Sequence, residues 1–342
     1  MSLARAIATG DVAELPSRRD EDWRWTDLRG LLRVLPARST AHDGAPPAGP
    51  FAEIDAEIVN VVNGRGPTRL EIADGERRVV ALRFYAADVG SHASEMAIHL
   101  GAGSELVLLE SHDGEGGYVA EADLVIAVGR GARVERLVLA NEPEEAVSVS
   151  KAVVSLSPGG RFAQTVFATG ARRQRLETRV DHEGGGATAR LDGLYIVAGR
   201  RHADITTLVV HAGSDGTTDQ LTKGVATDQG RGVFQGRIEV ARGSDRTVAR
   251  MGHHALVLSD RAEVDAKPEL EIYADEVVCS HGNSIGALDE EALFYARQRG
   301  IPEAEARAML TEAFLGEVID RIEHEGAREA VRAFVASHSV TA

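Results

Sequence analysis

Four glycine-rich turns recur along this chain at almost equal intervals. They are Gly101-Ala-Gly-Ser, Gly129-Arg-Gly-Ala, Pro158-Gly-Gly-Arg and Gly184-Gly-Gly-Ala, and they begin 28, 29 and 26 residues apart. A period in this range points to one supersecondary unit stacked on the next. The segments between the turns say which unit. Glu105-Leu-Val-Leu-Leu, Arg133-Val-Glu-Arg-Leu-Val-Leu, Ala187-Thr-Ala-Arg-Leu-Asp-Gly-Leu-Tyr-Ile and Ala203-Asp-Ile-Thr-Thr-Leu-Val-Val are rich in strand-forming residues. No helical pattern intervenes. Each repeat reads as turn, strand, turn, strand, which suits a parallel β-helix whose coils stack. An antiparallel sandwich is the alternative, because a hairpin spacing of roughly 8–12 residues is partly satisfied as well.

The β-rich stretch covers residues 53–286, and helical patterns flank it on both sides. Residues 1–36 read as helical, with Leu3, Ile7 and Leu15 in a first segment and Trp23, Leu28, Leu31 and Leu32 in a second. The charged run around Trp23 and Trp25 reads as a solvated helix with its tryptophans docked on the core. A Pro/Gly/Ala-rich linker follows at 37–50, completing an N-terminal unit of residues 1–52. The C-terminal unit, 287–342, predicts three helices. Asp289 can cap the first, Gly300 suits its end, and Pro302 suits the start of the second. Leu310, Phe314, Val318 and Ile322 then recur four apart, and Ala327, Val331, Phe334 and Val335 form a third stripe. These stripes either pack on the β-core or leave a groove for a partner.

Composition narrows the function. With 38 basic and 53 acidic residues the formal charge is −15, which argues against nucleic acid or an anionic membrane as the main partner. No apolar run approaches the 18 or so residues of a membrane span, and the apolar stretch at the N-terminus is too short for a secretory signal. Cys279 is the only cysteine, which excludes an intrachain disulfide framework and suggests a reducing, cytoplasmic setting. It also limits metal chemistry. An iron–sulfur cluster ordinarily takes about four cysteine ligands, so this chain could contribute to a cluster but not build an ordinary one alone.

Cys279 is followed two positions later by His281, close to the junction between the β-rich and helical regions. On a strand, residues i and i+2 share a face. The two would then project together as a thiol–imidazole pair. A buried cysteine acting as a small hydrophobe, beside a hydrogen-bonded histidine, is the plainer reading. A nucleophilic dyad lacks a nameable third residue to orient it. Soft metal ligation suits the residue types better. His253 and His254 are adjacent, so on a strand they face opposite ways and at most one joins a site. The glycine-rich turns lack the strand–GxxxxGK[ST]–helix setting of a phosphate loop, and no HExxH, GxSxG or paired CxxC is present. The chain is therefore expected to bind no nucleotide and to draw any ATP energy from another subunit.

The run from Cys279-Ser-His-Gly-Asn-Ser to Gln298-Arg-Gly-Ile301 closely resembles the C-terminal signature of the SufB/SufD family of iron–sulfur cluster assembly proteins. The run Pro16-Ser-Arg-Arg-Asp-Glu-Asp-Trp-Arg-Trp-Thr-Asp-Leu28 resembles the SufD branch, and together with the β-rich centre the resemblance covers essentially the whole chain. It implies a right-handed parallel β-helix core between N- and C-terminal helical domains. It also implies a non-catalytic scaffold subunit that pairs with a SufB-like subunit across the β-helix and binds a SufC-like ATPase through 287–338. A transient iron–sulfur cluster would be shared with SufB, with His281 and Cys279 as the ligands on this side. A homodimer is possible when the chain is isolated. The single cysteine and the flanks Ser280 and Gly282 favour SufD over a divergent SufB-type paralogue. A β-helix enzyme acting on polysaccharide is the reading from another class, and it leaves the C-terminal helices unexplained.

Overall fold

The computed structural model describes residues 1–338, so the last four residues of the expected C-terminal unit, 339–342, lie outside the described residues. Its centre is a parallel β-solenoid of two facing sheets. One sheet holds β1 (Glu57–Val62), β3 (Arg77–Ala86), β5 (Glu105–Gly114), β7 (Arg133–Ala140), β9 (Arg161–Ala168), β11 (Thr188–Val197), β13 (Thr217–Ala226), β15 (Val248–Val257) and β17 (Val278–Gly286), in that order. The other holds β2 (Arg69–Ile72), β4 (Ser91–Leu100), β6 (Val119–Val128), β8 (Val147–Leu156), β10 (Arg173–His182), β12 (His202–His211), β14 (Arg231–Val240) and β16 (Glu263–Ile272). Each coil contributes one strand to each sheet, and all the pairings are parallel. The sandwich alternative is thereby excluded.

The recurrent turns are the corners of this solenoid. Glu105 on β5 pairs with Arg133 on β7, 28 residues on, so the sequence period is the length of one coil. Gly103, Gly131 and Gly159 hold positive φ there, a conformation that costs little without a Cβ. Inward positions such as Leu108, Val134, Ile126 and Val154 fill the lumen as one apolar column. Two glycines in the lumen answer a bulky neighbour. Tyr195 lies across the interior, and a Cβ on Gly224 or Gly232 would come within 1.8 or 2.3 Å of its ring.

The lumen also contains an ion pair. Arg136 donates to both carboxylate oxygens of Glu110 at 2.8 and 2.9 Å, and to Gln164 at 2.6 Å. Gln164 reaches Thr178 on the opposite sheet at 3.0 Å. Burial works to raise the Glu110 carboxyl, but Arg136 and then His112 outweigh it and hold the group down at about 2.

The two outer faces are covered differently. Residues 1–36 lie over the sheet of even-numbered strands, with Leu3, Leu15 and Leu28 packed on Val119, Val147 and Val149. They are less helical than their apolar spacing suggests. Only α1 (Leu3–Thr9) and α2 (Leu28–Leu31) are α-helices, joined through two short 3₁₀ turns. Gly10 adopts φ 74° and ends α1, and tertiary contacts then dictate the path. The Trp23 ring packs over the Arg175 guanidinium at 4.3 Å, as expected of a docked tryptophan.

On the other side, α3 (Glu290–Gln298), α4 (Glu303–Ile319) and α5 (Glu325–His338) follow β17. Leu315, Val318, Ile322, Val331 and Val335 bury themselves on Leu137, Leu139, Phe167 and Leu194 of the odd-numbered sheet. The expected stripes therefore cover the core. Glu135 of β7 accepts from the backbone N–H groups of Glu323 and His324 at 2.6 and 2.9 Å, capping the start of α5 from another element. Arg321 bonds Asp219 at 2.6 Å, and Lys223 pairs with Glu317.

Two outcomes follow from this packing. Gly224→Ala should lower stability by about 1–3 kcal/mol through overpacking against Tyr195, seen as a lower thermal midpoint; an unchanged midpoint would refute the contact. Glu110 titrates lower when folded than the roughly 4.3 of a free carboxyl, so its stabilisation is complete above that pH and is lost as pH falls toward about 2. Glu110→Gln should remove this acid sensitivity while costing about 3–5 kcal/mol at neutral pH, because Arg136 is left buried and unpaired. Paired acid-unfolding curves of the two proteins test this.

Candidate functional site

The solenoid has two ends, and they are built differently. At the N-terminal end the outermost strands are short, β1 with six residues and β2 with four. At the C-terminal end β16 has ten and β17 nine, and each is paired on one side only. A long unpaired strand presents a row of free backbone N–H and C=O groups to any chain that approaches. This rim is apolar as well. Ile272, Tyr273, Val278 and Ile285 are all exposed there.

Both sequence-predicted ligands lie on this open strand. Cys279 is in register with Ala249 and His281 with Met251, both buried lumen residues of β15. The two candidates therefore share the lumen side of β17, as their spacing requires. Their settings differ. Cys279 is half-buried against the lumen cluster, whereas His281 is exposed. Burial pushes the Cys279 thiol up, and a backbone hydrogen bond from Ala249 offsets part of this. The thiol is thus held in its neutral form and is not an activated nucleophile.

One neighbour was not anticipated. His253, one coil below, is fully buried and stacks on Phe234 with centroids 4.8 Å apart. Its Nδ1 lies 2.7 Å from Oδ1 of Asn283 on β17, and its Nε2 lies 3.0 Å from the Tyr195 hydroxyl. Burial drives His253 down to about 4, so the ring is neutral near pH 7. It fixes Asn283, two residues beyond His281 on the same face. His254 points the other way and meets Ser284 at 2.7 Å. The adjacent histidines do face opposite sides, but the inward one joins the site's underside. The signal was the offset of 30 residues between His253 and Asn283, one coil length, legible only once the coil register is known.

Among the described residues, no three His, Cys, Asp or Glu side chains are grouped so as to hold a metal ion. Cys279 and His281 are two donor side chains on one open edge.

The model of the SUF system FeS cluster assembly family, SufBD core domain, matches residues 84–314, from β3 through most of α4. The chain belongs to the SufBD family. This SufBD protein is 26% identical to the iron–sulfur cluster assembly protein SufD of Escherichia coli, over 97% of this chain and 90% of that one. It is 27% identical to an iron–sulfur cluster assembly SufBD family protein of Mycobacterium tuberculosis, over 95% and 89% of the respective chains. A shorter match, at 32% identity, links it to SufD of Bacillus subtilis over 40% of this chain and 33% of the relative. The fold and the relatives together assign this SufBD protein to iron–sulfur cluster assembly.

If burial controls Cys279, its alkylation by iodoacetamide near pH 7.5 should run slower than that of a free peptide thiol, and should accelerate as pH rises. Mass spectrometry of timed samples measures the rate. A rate equal to the free thiol's would contradict the half-buried, neutral setting.

Proposed function

We propose that this chain is a SufD-type scaffold subunit that shares a nascent iron–sulfur cluster with a SufB-like partner. The observation that carries the reading is the exposed His281, with Cys279 beside it, on β17, whose outer edge is open. A partner that pairs with β17 satisfies its free backbone groups and covers Val278 and Ile285. The same docking brings the partner's own donors to this side's imidazole and thiol. The cluster is cargo. His281 is the candidate direct ligand, since it reaches solvent without any rearrangement, and Cys279 is a supporting thiol whose access widens if the lumen opening shifts. His253 positions the strand through Asn283. The chain performs no catalysis of its own in this scheme, and it acts in the cytoplasm.

A SufC-like ATPase would dock on the helices of 287–338. The support is the exposed apolar surface there: Phe294 and Tyr295 of α3 and Met309 of α4 face solvent, whereas Leu293 is buried. Removing all three helices is not a clean test, because α4 and α5 cover the apolar outer face of the sheet. Point changes on α3 avoid that.

Co-expression with SufB-like and SufC-like partners tests both halves. His281→Ala should assemble a normal complex that yields only a small fraction of the wild-type cluster, read from its visible absorption, and Cys279→Ser should lose less. Full cluster yield from His281→Ala would show the site to be misassigned. Phe294→Glu with Tyr295→Glu should release the ATPase from the purified complex while the heterodimer survives. A retained ATPase would move that contact elsewhere.

A further inference from the structure

A separate concave site lies on the outer face of the odd-numbered sheet, on its first strands and so at the far end of the solenoid from β17. Residues 48–54 arch over β1, β3 and β5 and enclose a cavity of about 150 Å³. Most of its lining precedes residue 84, where the family match begins. The hollow has a sequence cause. Ile58, Ala81 and Leu109 form one outward row in register. Ala81 is small between two larger neighbours, and Phe51 and Ile54 close over the gap.

The adjacent row supplies a polar end. It runs Asn60, Arg83, Ser111. Ser111 is only 1% exposed, and among the described residues neither its hydroxyl nor Nε of Arg83 has a hydrogen-bond partner. Both residues line the cavity. Paired strands stand about 4.8 Å apart, so the two donors can reach the same acceptor. The guanidinium is held from behind, where it donates to the Pro47 carbonyl. A Cβ on Gly49 would come within 2.6 Å of Nε, so the arch backbone lies directly against it. Asn60, next to Arg83 in the row, is also without a partner at Oδ1 among the described residues.

We propose that this cavity binds a small monocarboxylate with a compact apolar body, phenyl or branched, whose carboxylate is received by Arg83 Nε and Ser111 Oγ. A cavity of this volume with apolar walls is large enough for one benzene ring. Alanine, proline, phenylalanine and isoleucine side chains form the walls. The charge balance favours an anion over a neutral carbonyl group. Arg83 is cationic, and the nearby acid Asp113 is pushed up by burial toward its neutral form. A long acyl chain exceeds the volume, and a phosphate would find apolar walls and a single cation.

The test uses the full-length protein and ligand-observed NMR with phenylacetate, against acetate and benzyl alcohol. Phenylacetate should bind saturably at one site, with acetate and benzyl alcohol at least about tenfold weaker, since each lacks either the apolar body or the charge-assisted hydrogen bonds. Arg83→Gln and Ser111→Ala should each weaken phenylacetate by about tenfold. Ala81→Leu fills the hollow and leaves both donors in place, so it should abolish binding. Equal binding of acetate, unchanged binding to Ala81→Leu, indifference to Arg83→Gln, or no saturation at millimolar phenylacetate would each overturn the proposal. Should Ala81→Leu disturb the coil, Ser111→Ala removes one hydroxyl atom and still decides.

Discussion

The rest of this structure depends on the parallel hydrogen-bond ladder between coils. Buried backbone N–H and C=O groups have to be paired. Here each interior strand is satisfied from both sides by strands one coil before and one coil after it. That arrangement closes the backbone account along the solenoid but not at its ends. The protein blunts the N-terminal end with strands of six and four residues. It leaves β16 and β17 at full length. The asymmetry leaves the C-terminal end with the longer open edge, and the candidate ligands lie on it.

The flanks serve the same ladder. A two-sheet solenoid has two outer faces, and apolar outward residues on each need cover. The N-terminal segment takes one face and α4 with α5 take the other. The helices are held by more than apolar contact. Glu135 caps the start of α5, and Arg321 bonds Asp219. Helix α3 is tied down less, with Leu293 as its buried anchor and two aromatic side chains in solvent. Inside, the lumen mixes apolar columns with the layer Glu110–Arg136–Gln164, whose charges pair strands of one sheet and whose Gln164 bonds Thr178 of the other.

Much of this was legible because it repeats. A coil of about 28 residues returns one such glycine turn per coil, and the turns at 101, 129, 158 and 184 expose that period directly. The stripes through Val318 and Val331 were legible for a similar reason, since an amphipathic helix has to repeat its buried face. The N-terminal segment misled. Its leucines have helical spacing, but Gly10 and Pro16 interrupt it, and contacts such as Trp23 with Arg175 set its path. At the site, the common face of Cys279 and His281 followed from their spacing of two. The role of His253 did not, because its partners Tyr195 and Asn283 lie 58 and 30 residues away.

The sequence by itself determined the coil length, the strand-to-helix junction after Gly286, the single thiol and its shared face with His281. Each is a local property of spacing or composition, so each survives without knowledge of the fold. Only the tertiary structure decided that β17 has an open outer edge, that Cys279 is half-buried while His281 is exposed, and that His253 lies beneath Asn283 further along the same face. Those facts depend on which strands follow and precede in space. Among the described residues nothing stacks on the last coil, and no local pattern in the sequence records that absence.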